Sequence, residues 1–241
     1  MNKSTTTHGI ILARHDSGDT DRVVTILTKD LGKISAIAKG VKKLSSKKAG
    51  HLEVGNVIEF ELTPGKTLFM VGAAKTVAYH KFLQIENMRQ LFVWLEILNT
   101  LVHAEEKDTA LFDIARRGLD GAERYRRDQL QVVWPEIALY NHLGYQLELG
   151  QCVVGREPLA ATQNYLQVRL GGVVCASHAG QETGLSAISS TAIKLFRLVK
   201  EGRWDIIPKL TINEDIVREM TELVATWRDE VVGHRLKSER F

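Results

Sequence analysis

The chain has 241 residues, of which 44% are hydrophobic and 25% are charged, a globular composition that excludes disordered and disulfide-rich secreted chains. It contains no run of about 18 apolar residues, and its start, Met1 to His8, is polar, so we expect a cytoplasmic protein without a membrane span or secretory leader. Residues 1–81 hold thirteen Lys and Arg against seven Asp and Glu, a charge of about +6, whereas the whole chain carries +3. This asymmetry predicts an anionic partner for the first segment.

The first third of the chain has the pattern of β-strands. Segments rich in β-branched residues are separated by turn signals at 16–19, 30–32 and 64–65, which is typical of short strands. The predicted strands are 9–14, 21–28, 32–39, 56–62 and 67–71, with a possible extension of the last one to Tyr79. Five short strands in about 80 residues predict a small closed barrel, because closure removes exposed sheet edges.

After residue 81 the apolar residues recur at helical spacing, so we expect a barrel domain at 1–81 and a helical domain at 82–241. The predicted helices are 87–103, 109–117, 128–143, 190–200 and a last one behind Asn213. Asn87 with Gln90 has the pattern of an N-cap and its partner three residues on. Residues 150–185, which contain both cysteines, are predicted to form an inserted, knuckle-like loop.

A cluster of lysines is the strongest functional signal. Five lysines fall within ten residues at 39–48, and flexible cations of this kind suit contacts with nucleic-acid phosphates. The alternative is a solvated loop that serves only solubility. Cations on the neighbouring predicted strands favour the first interpretation, and the candidate nucleic-acid-binding residues are Arg14, Arg22, Lys33, Lys39, Lys42, Lys43, Lys47 and Lys48.

Aromatic residues are few in the predicted barrel. Phe60, Phe69 and Tyr79 are the only ones in residues 1–79, and the alternation around the two phenylalanines favours core packing over a platform for base stacking. We therefore expect nucleic-acid binding that is electrostatic and nearly indifferent to base sequence.

Two short motifs resemble the halves of a zinc knuckle. Cys152 would pair with a second cysteine at position 155, but Gly155 stands there, and Cys175 is followed by His178. The candidate ligands Cys152, Cys175 and His178 are one short of the four in a closed structural site. We therefore expect no zinc and no other cofactor.

Signatures of enzymes are poor. Gly65, Lys66 and Thr67 have the end of a phosphate-binding loop but lack its first glycine and the helix that should follow. No H-E-x-x-H or G-x-S-x-G motif occurs. We predict a protein without catalytic residues, although an unrecognised nucleic-acid enzyme is a third possibility beside DNA-binding and RNA-binding proteins.

The order of these motifs resembles the RecO family of DNA repair proteins. The resemblance rests on 9–12, 16–28, 32–33 and 38–43 in the barrel, and on 143–145, 152–154 and 171–178 further along. It implies an α+β chain in which an oligonucleotide-binding (OB) barrel precedes a helical domain with a degenerate zinc knuckle. It also implies a mediator of the RecF pathway of recombination, which binds single- and double-stranded DNA and anneals complementary strands at the nucleoid.

The resemblance further implies two protein partners, RecR and the acidic C-terminal tail of the single-stranded DNA-binding protein (SSB). Such a tail needs an apolar pocket surrounded by Lys or Arg. A basic cluster could serve, or it could be an ordinary solvated helix face: Arg116, Arg117, Arg124, Arg126 and Arg127. The alternative to a DNA mediator is an OB-fold RNA-binding module, since the same lysines could follow either backbone.

Overall fold

The computed structural model describes residues 4–78, 80, 84–103, 106–125, 128–204 and 206–240. Two compact units are present: residues 1–123 with 236–241, and residues 124–235. The helices that directly follow the strands belong to the first unit. The predicted boundary at residue 81 marks the change from strands to helices, which is a different criterion from compactness. The domain division at residue 81 therefore stays a prediction. In the described part of the chain no helix has the length and apolarity to cross a membrane.

The first unit begins with the predicted five-stranded barrel. Its strands are β1 (Thr5–Ser17), β2 (Asp21–Thr28), β3 (Gly32–Ala38), β4 (Val57–Thr63) and β5 (Phe69–Ala78). They close in the order β1-β2-β3-β5-β4, with β4 pairing back to β1. All pairs are antiparallel except β3 with β5, which is the arrangement of an OB-fold. The predicted fold class is confirmed.

Alternating side chains fill the inside of the barrel. Ile11, Val24, Ile26, Ile34 and Phe60 are among its fully or almost fully buried residues. A side chain at Gly9 would be too close to this core, because its Cβ would lie 2.5 Å from a methyl group of Ile26. The predicted core role of Phe60 is confirmed, and Phe69 is half-buried against the same cluster.

Two helices complete the first unit, α1 (Ile85–Leu101) and α2 (Thr109–Arg124), with a 3-10 turn at Lys237–Arg240. They approach closely where the Trp94 ring lies on Gly118. Asn87 is not the N-cap that its spacing predicted, since the cap of α1 is Gln84. Asn87 is instead buried and its amide donates to the carbonyls of Ala122 and Glu123, 2.9 and 2.5 Å away.

The second unit is mainly helical. Its elements are α3 (Leu130–His142), β6 (Asn164–Gln167), β7 (Gly172–Cys175), α4 (Ala176–Ala179), β8 (Ser186–Ile188), α5 (Ser190–Lys200), a 3-10 turn (Ile207–Lys209) and α6 (Glu214–Val232). The predicted insertion contains a three-stranded antiparallel sheet in the order β7-β6-β8. Its strands have only three or four residues, too short for a clear alternation in the sequence.

A buried ion pair joins α3 to α6. The Arg228 guanidinium donates to both carboxylate oxygens of Glu136, at 2.7 and 2.8 Å, and the Tyr140 hydroxyl donates to the same carboxylate at 2.5 Å. Burial raises the pKa of Tyr140 well above its usual value. Asn213 caps α6, because its side chain accepts from the Ile216 N–H.

Candidate nucleic-acid interface

The lysine-rich segment connects β3 to β4 on the barrel. Val41 and Leu52 anchor it, since both are buried in the barrel core. At its beginning the Asp21 carboxylate accepts from the Gly40 N–H at 2.8 Å, and this hydrogen bond is the main reason that the pKa of Asp21 is lowered. The backbone is thus tied to the barrel at both ends of residues 41–52.

Three of the predicted cations form an ion-pair network with two carboxylates. Glu53 accepts from Arg14 at 2.6 Å and from Arg22 at 3.5 Å. Asp16 lies 3.3 Å from Arg22 and 3.0 Å from the Lys42 ammonium. Hydrogen bonds from Lys42 and Arg22 lower the pKa of Asp16. The network brings together β1, β2 and the connection, and it orients the cations while neutralising part of their charge.

Three further lysines of the same connection, Lys39, Lys43 and Lys47, are exposed. Within the described residues, none of them has a carboxylate within 4.0 Å. A shallow depression of about 450 Å³ lies beside them and is lined by Arg22, Lys42 and Lys43, among others. Lys39 and Lys43 interact with the Asp21 carboxylate at longer range, so these ammonium groups are exposed to an approaching phosphate backbone without a direct ion pair.

The ammonium groups of the two remaining predicted residues, Lys33 and Lys48, donate hydrogen bonds to backbone carbonyls. Lys33 donates to the carbonyls of Asn99 and Val102, at 2.5 and 2.7 Å, at the end of α1, where a cation complements the helix dipole. Burial lowers the pKa of Lys33. Lys48 donates to the Val71 carbonyl at 3.1 Å. Their contact with DNA stays a prediction, and both have a structural role that the sequence did not indicate.

The phenylalanines leave little for base stacking, since Phe60 is buried and Phe69 packs on the core. Tyr79 lies outside the described residues. Of the basic cluster, Arg116, Arg117 and Arg124 are exposed on α2, whereas 126 and 127 also lie outside the described residues.

An apolar groove of about 780 Å³ runs along α1 in the first unit. Ile85, Met88 and Phe92 are exposed large apolar residues along it. Arg89 and Lys237 contribute cations to its lining, and Glu86 and Glu96 contribute carboxylates. Glu96 is already engaged, because it accepts from the backbone N–H groups of Lys237 and Ser238. Sequence reasoning missed this groove, since it forms only when the 3-10 turn lies beside α1.

In the second unit, the two cysteines and His178 converge as the knuckle pattern predicted. Cys152 Sγ lies 3.7 Å from His178 Nδ1, and Cys175 Sγ lies 3.3 Å from the same nitrogen. A fourth residue, Glu157, lies beside them: its Oε1 is 2.8 Å from Cys175 Sγ and 3.1 Å from His178 Nδ1. The four donor atoms lie within 4.8 Å of one another.

The surroundings shift the pKa values of these groups. Burial opposes ionisation of Cys152, but hydrogen bonds from the backbone N–H groups of Cys175, Gly155 and Val154 lower the pKa of its thiol to about 7. The hydrogen bond to Glu157 raises the pKa of Cys175. The same bond is the main reason that the pKa of Glu157 is lowered.

The donor set fits zinc, which binds sulfur, imidazole and carboxylate in a tetrahedron. Cys152, Glu157, Cys175 and His178 would hold the ion, which would cross-link two segments of the knuckle. The sequence count of three ligands omitted Glu157, because it stands two residues beyond the position that Gly155 occupies. The predicted absence of zinc stays a prediction.

Comparison with known proteins agrees with this architecture. Residues 1–80 match the family described as "Recombination protein O N terminal", and residues 84–240 match "Recombination protein O C terminal". A "DNA repair protein RecO" of Dehalococcoides mccartyi (strain ATCC BAA-2266 / KCTC 15142 / 195) is 32% identical over 89% of this chain and 85% of its own. A protein of the same name from Bifidobacterium longum subsp. infantis is 29% identical over 97% of this chain and 96% of its own. The chain therefore belongs to the RecO family of DNA repair proteins.

Proposed function

We propose that this chain is a recombination mediator without catalytic activity. It binds single- and double-stranded DNA through the barrel, anneals complementary strands and assists loading of a recombinase onto DNA covered by SSB. It would act in the cytoplasm, at the nucleoid. The observation that carries the proposal is the group of exposed lysines Lys39, Lys43 and Lys47 beside the network of Arg14, Arg22 and Lys42.

Annealing follows from the same surface. Two complementary strands repel each other through their phosphates, and a cationic surface that neutralises both backbones brings them together. Because backbone charge carries no base information, this activity does not require sequence readout. The buried position of Phe60 supports electrostatic binding, since this ring is not available to stack on bases.

The experiment is annealing of two labelled complementary oligonucleotides coated with SSB, followed by fluorescence. We expect the protein to accelerate annealing, and we expect the strands to remain intact in the presence of divalent metal. Absence of acceleration, or cleavage of the strands, would contradict the proposal. Competition between single-stranded DNA and RNA of equal length addresses the alternative of an RNA-binding module: a clear preference for RNA would favour that alternative.

The proposal includes RecR and the SSB tail as partners. For the tail we propose the groove along α1, because it combines the exposed apolar residues Ile85, Met88 and Phe92 with the cations Arg89 and Lys237. An acidic peptide with an apolar end would place its carboxylates on the cations and its apolar end against α1. Removal of apolar surface from water would supply the affinity.

A fluorescent peptide with the SSB tail sequence tests the groove. We expect Phe92→Asp to weaken peptide binding by at least about tenfold, since it places a carboxylate on the apolar wall. Leu170→Asp is the matched control, because Leu170 is a similarly exposed apolar residue of the second unit. Equal affinities of the two variants would reject the groove, while retained binding of single-stranded DNA would leave the barrel proposal unaffected.

A further inference from the structure

We propose that Glu157 replaces the missing second cysteine of the knuckle, so that Cys152, Glu157, Cys175 and His178 bind one zinc ion through two sulfurs, one imidazole nitrogen and one carboxylate oxygen. This reverses the expectation drawn from three ligands. The inference concerns the second unit and does not rest on the proposed DNA binding.

The distances suit a closed site. A tetrahedral zinc with sulfur at about 2.3 Å and nitrogen or oxygen at about 2.0–2.2 Å separates its ligands by roughly 3.3–3.8 Å. The sulfurs lie 3.7 and 3.3 Å from His178 Nδ1. Glu157 Oε1 lies 3.1 Å from the same nitrogen and 2.8 Å from Cys175 Sγ. Opening of the last two distances by less than about 1 Å, with closing of any separation that reaches the 4.8 Å limit of the cluster, would admit the ion.

Two turns hold the donors in place. In the first, Arg156 N–H donates to the Cys152 carbonyl at 2.9 Å and Cys152 N–H donates to the Glu157 carbonyl at 2.8 Å. Arg156 has a φ of 65°, the left-handed conformation that closes this turn. In the second, Cys175 is the N-cap of α4 and His178 lies within this short helix, three residues further on.

Gly155 is what makes room for the carboxylate. A Cβ at this position would lie 2.1 Å from Glu157 Oε2 and 2.3 Å from His178 Cε1. A cysteine at 155 and the present position of Glu157 therefore exclude each other. The glycine and the glutamate form a compensating pair, in which one residue leaves the space and the other fills it with a different donor.

The carboxylate changes the expected properties of the site. Carboxylate is a harder and less strongly bound ligand for zinc than thiolate. We expect one zinc per chain that chelators remove more readily than from a site with three thiolates. The four ligands leave no open position, so the ion would have a structural role rather than a catalytic one.

The test measures zinc content by elemental analysis and zinc affinity by chelator competition, with Co²⁺ absorption as a spectroscopic reporter. The protein is prepared under reducing conditions. We expect about one zinc per chain, and with Co²⁺ a thiolate charge-transfer band and the intense visible bands of a tetrahedral ion. Glu157→Gln should weaken zinc binding by at least about tenfold, since removal of a residue that only hydrogen-bonds a metal ligand already lowers metal affinity by about that factor. Glu182→Gln is the matched control, because Glu182 lies in the same segment outside the cluster.

A second variant separates ligation from folding. Gly155→Cys combined with Glu157→Ala removes the conflict with the carboxylate and supplies a third thiolate, while the His178 ring, 2.3 Å from the new Cβ, must shift. This variant should restore zinc binding and strengthen the charge-transfer band. Two outcomes would overturn the proposal: absence of zinc and of a tetrahedral Co²⁺ spectrum in the unaltered protein, or zinc affinity that is the same in Glu157→Gln as in the control. The second outcome would mean that another ligand completes the site.

Discussion

Two ion-pair networks of this chain have the same chemistry and different burial. In the second unit the side chains of Arg228 and Glu136 are only 14% and 4% exposed, whereas in the barrel those of Arg14 and Glu53 are 35% and 46% exposed. A buried pair cannot be broken without leaving a charge away from water. In an exposed pair, water or another ion can replace either partner at a small cost in free energy. Arg22 of the barrel network is also only 15% exposed, but its carboxylate partners are about half exposed. Burial of both partners therefore separates the network that stabilises the fold from the one that can open for phosphate.

Breaking the buried pair should give the largest effect. Arg228→Met leaves the Glu136 carboxylate buried and unpaired, which costs about 3–5 kcal/mol in the free energy of unfolding. Arg169→Met is the control, because the pair of Arg169 with Glu230 is exposed and should contribute at most about 1 kcal/mol. Urea unfolding of both variants measures the difference. Similar losses would show that burial does not distinguish the networks.

The lysines of the connection between β3 and β4 should affect DNA binding instead of stability. Replacing Lys39, Lys42 and Lys43 together by Glu removes three cations. Because each phosphate contact contributes about 0.7 to the logarithmic salt slope on a single strand, three contacts correspond to about a hundredfold in affinity at 0.1 M salt. Fluorescence anisotropy with single-stranded DNA measures this loss, and circular dichroism verifies the fold.

The control for this triple variant has the same change of charge at exposed lysines elsewhere, Lys66, Lys194 and Lys209. We expect it to retain most of the affinity. If the two variants lose affinity equally, net charge rather than the connection between β3 and β4 governs binding.

Removing a carboxylate from the network should have a smaller effect of opposite sign. Glu53→Gln frees Arg14 from its carboxylate, while Arg22 keeps Asp16, and one additional effective cation corresponds to about a fivefold gain in affinity at 0.1 M salt. Glu61→Gln, an exposed carboxylate on β4, is the matched control. Unchanged or weaker binding of Glu53→Gln would mean that Glu53 orients the arginines and does not compete with DNA.

The smallest expected effect is a pH-dependent change in stability at Asp21, which anchors the start of the connection between β3 and β4. The pKa of Asp21 is lowered, chiefly by the Gly40 N–H, so folding favours its charged form. Its contribution to stability is present above the unfolded pKa of about 4 and is lost as the pH falls through the lower folded pKa. Asp21→Asn should therefore reduce stability slightly at pH 7 and by less at pH 2, as measured by urea unfolding. An equal loss at both pH values would reject the electrostatic origin.

Most of the barrel could be predicted from the sequence, because strand alternation and turn residues are local signals. β1 is an exception: it begins at Thr5 and runs to Ser17, beyond the predicted 9–14. Its polar first residues pair with β4, and such pairing over long sequence separation has no local signature. Asn87 was misassigned for the same reason, since the carbonyls that it binds lie 35 and 36 residues away along the chain.

The candidate sites were predicted in part. Residue type indicated cations at 39–48, but it could not show that Lys33 and Lys48 hold backbone carbonyls. Likewise the spacing of zinc motifs indicated three donors, and Glu157 escaped because a carboxylate at that position belongs to no such motif. In both cases the deciding fact is where a side chain points after distant segments have met.

The salt dependence of DNA binding tests the central claim most directly. Anisotropy titrations with single-stranded DNA at several salt concentrations give the slope of log affinity against log salt. If about five phosphates are neutralised, the slope should be roughly −3.5, and the triple variant of Lys39, Lys42 and Lys43 should have a slope of roughly −1.4. A flat response of the unaltered protein, or the same slope in both proteins, would contradict an electrostatic interface formed by the connection between β3 and β4.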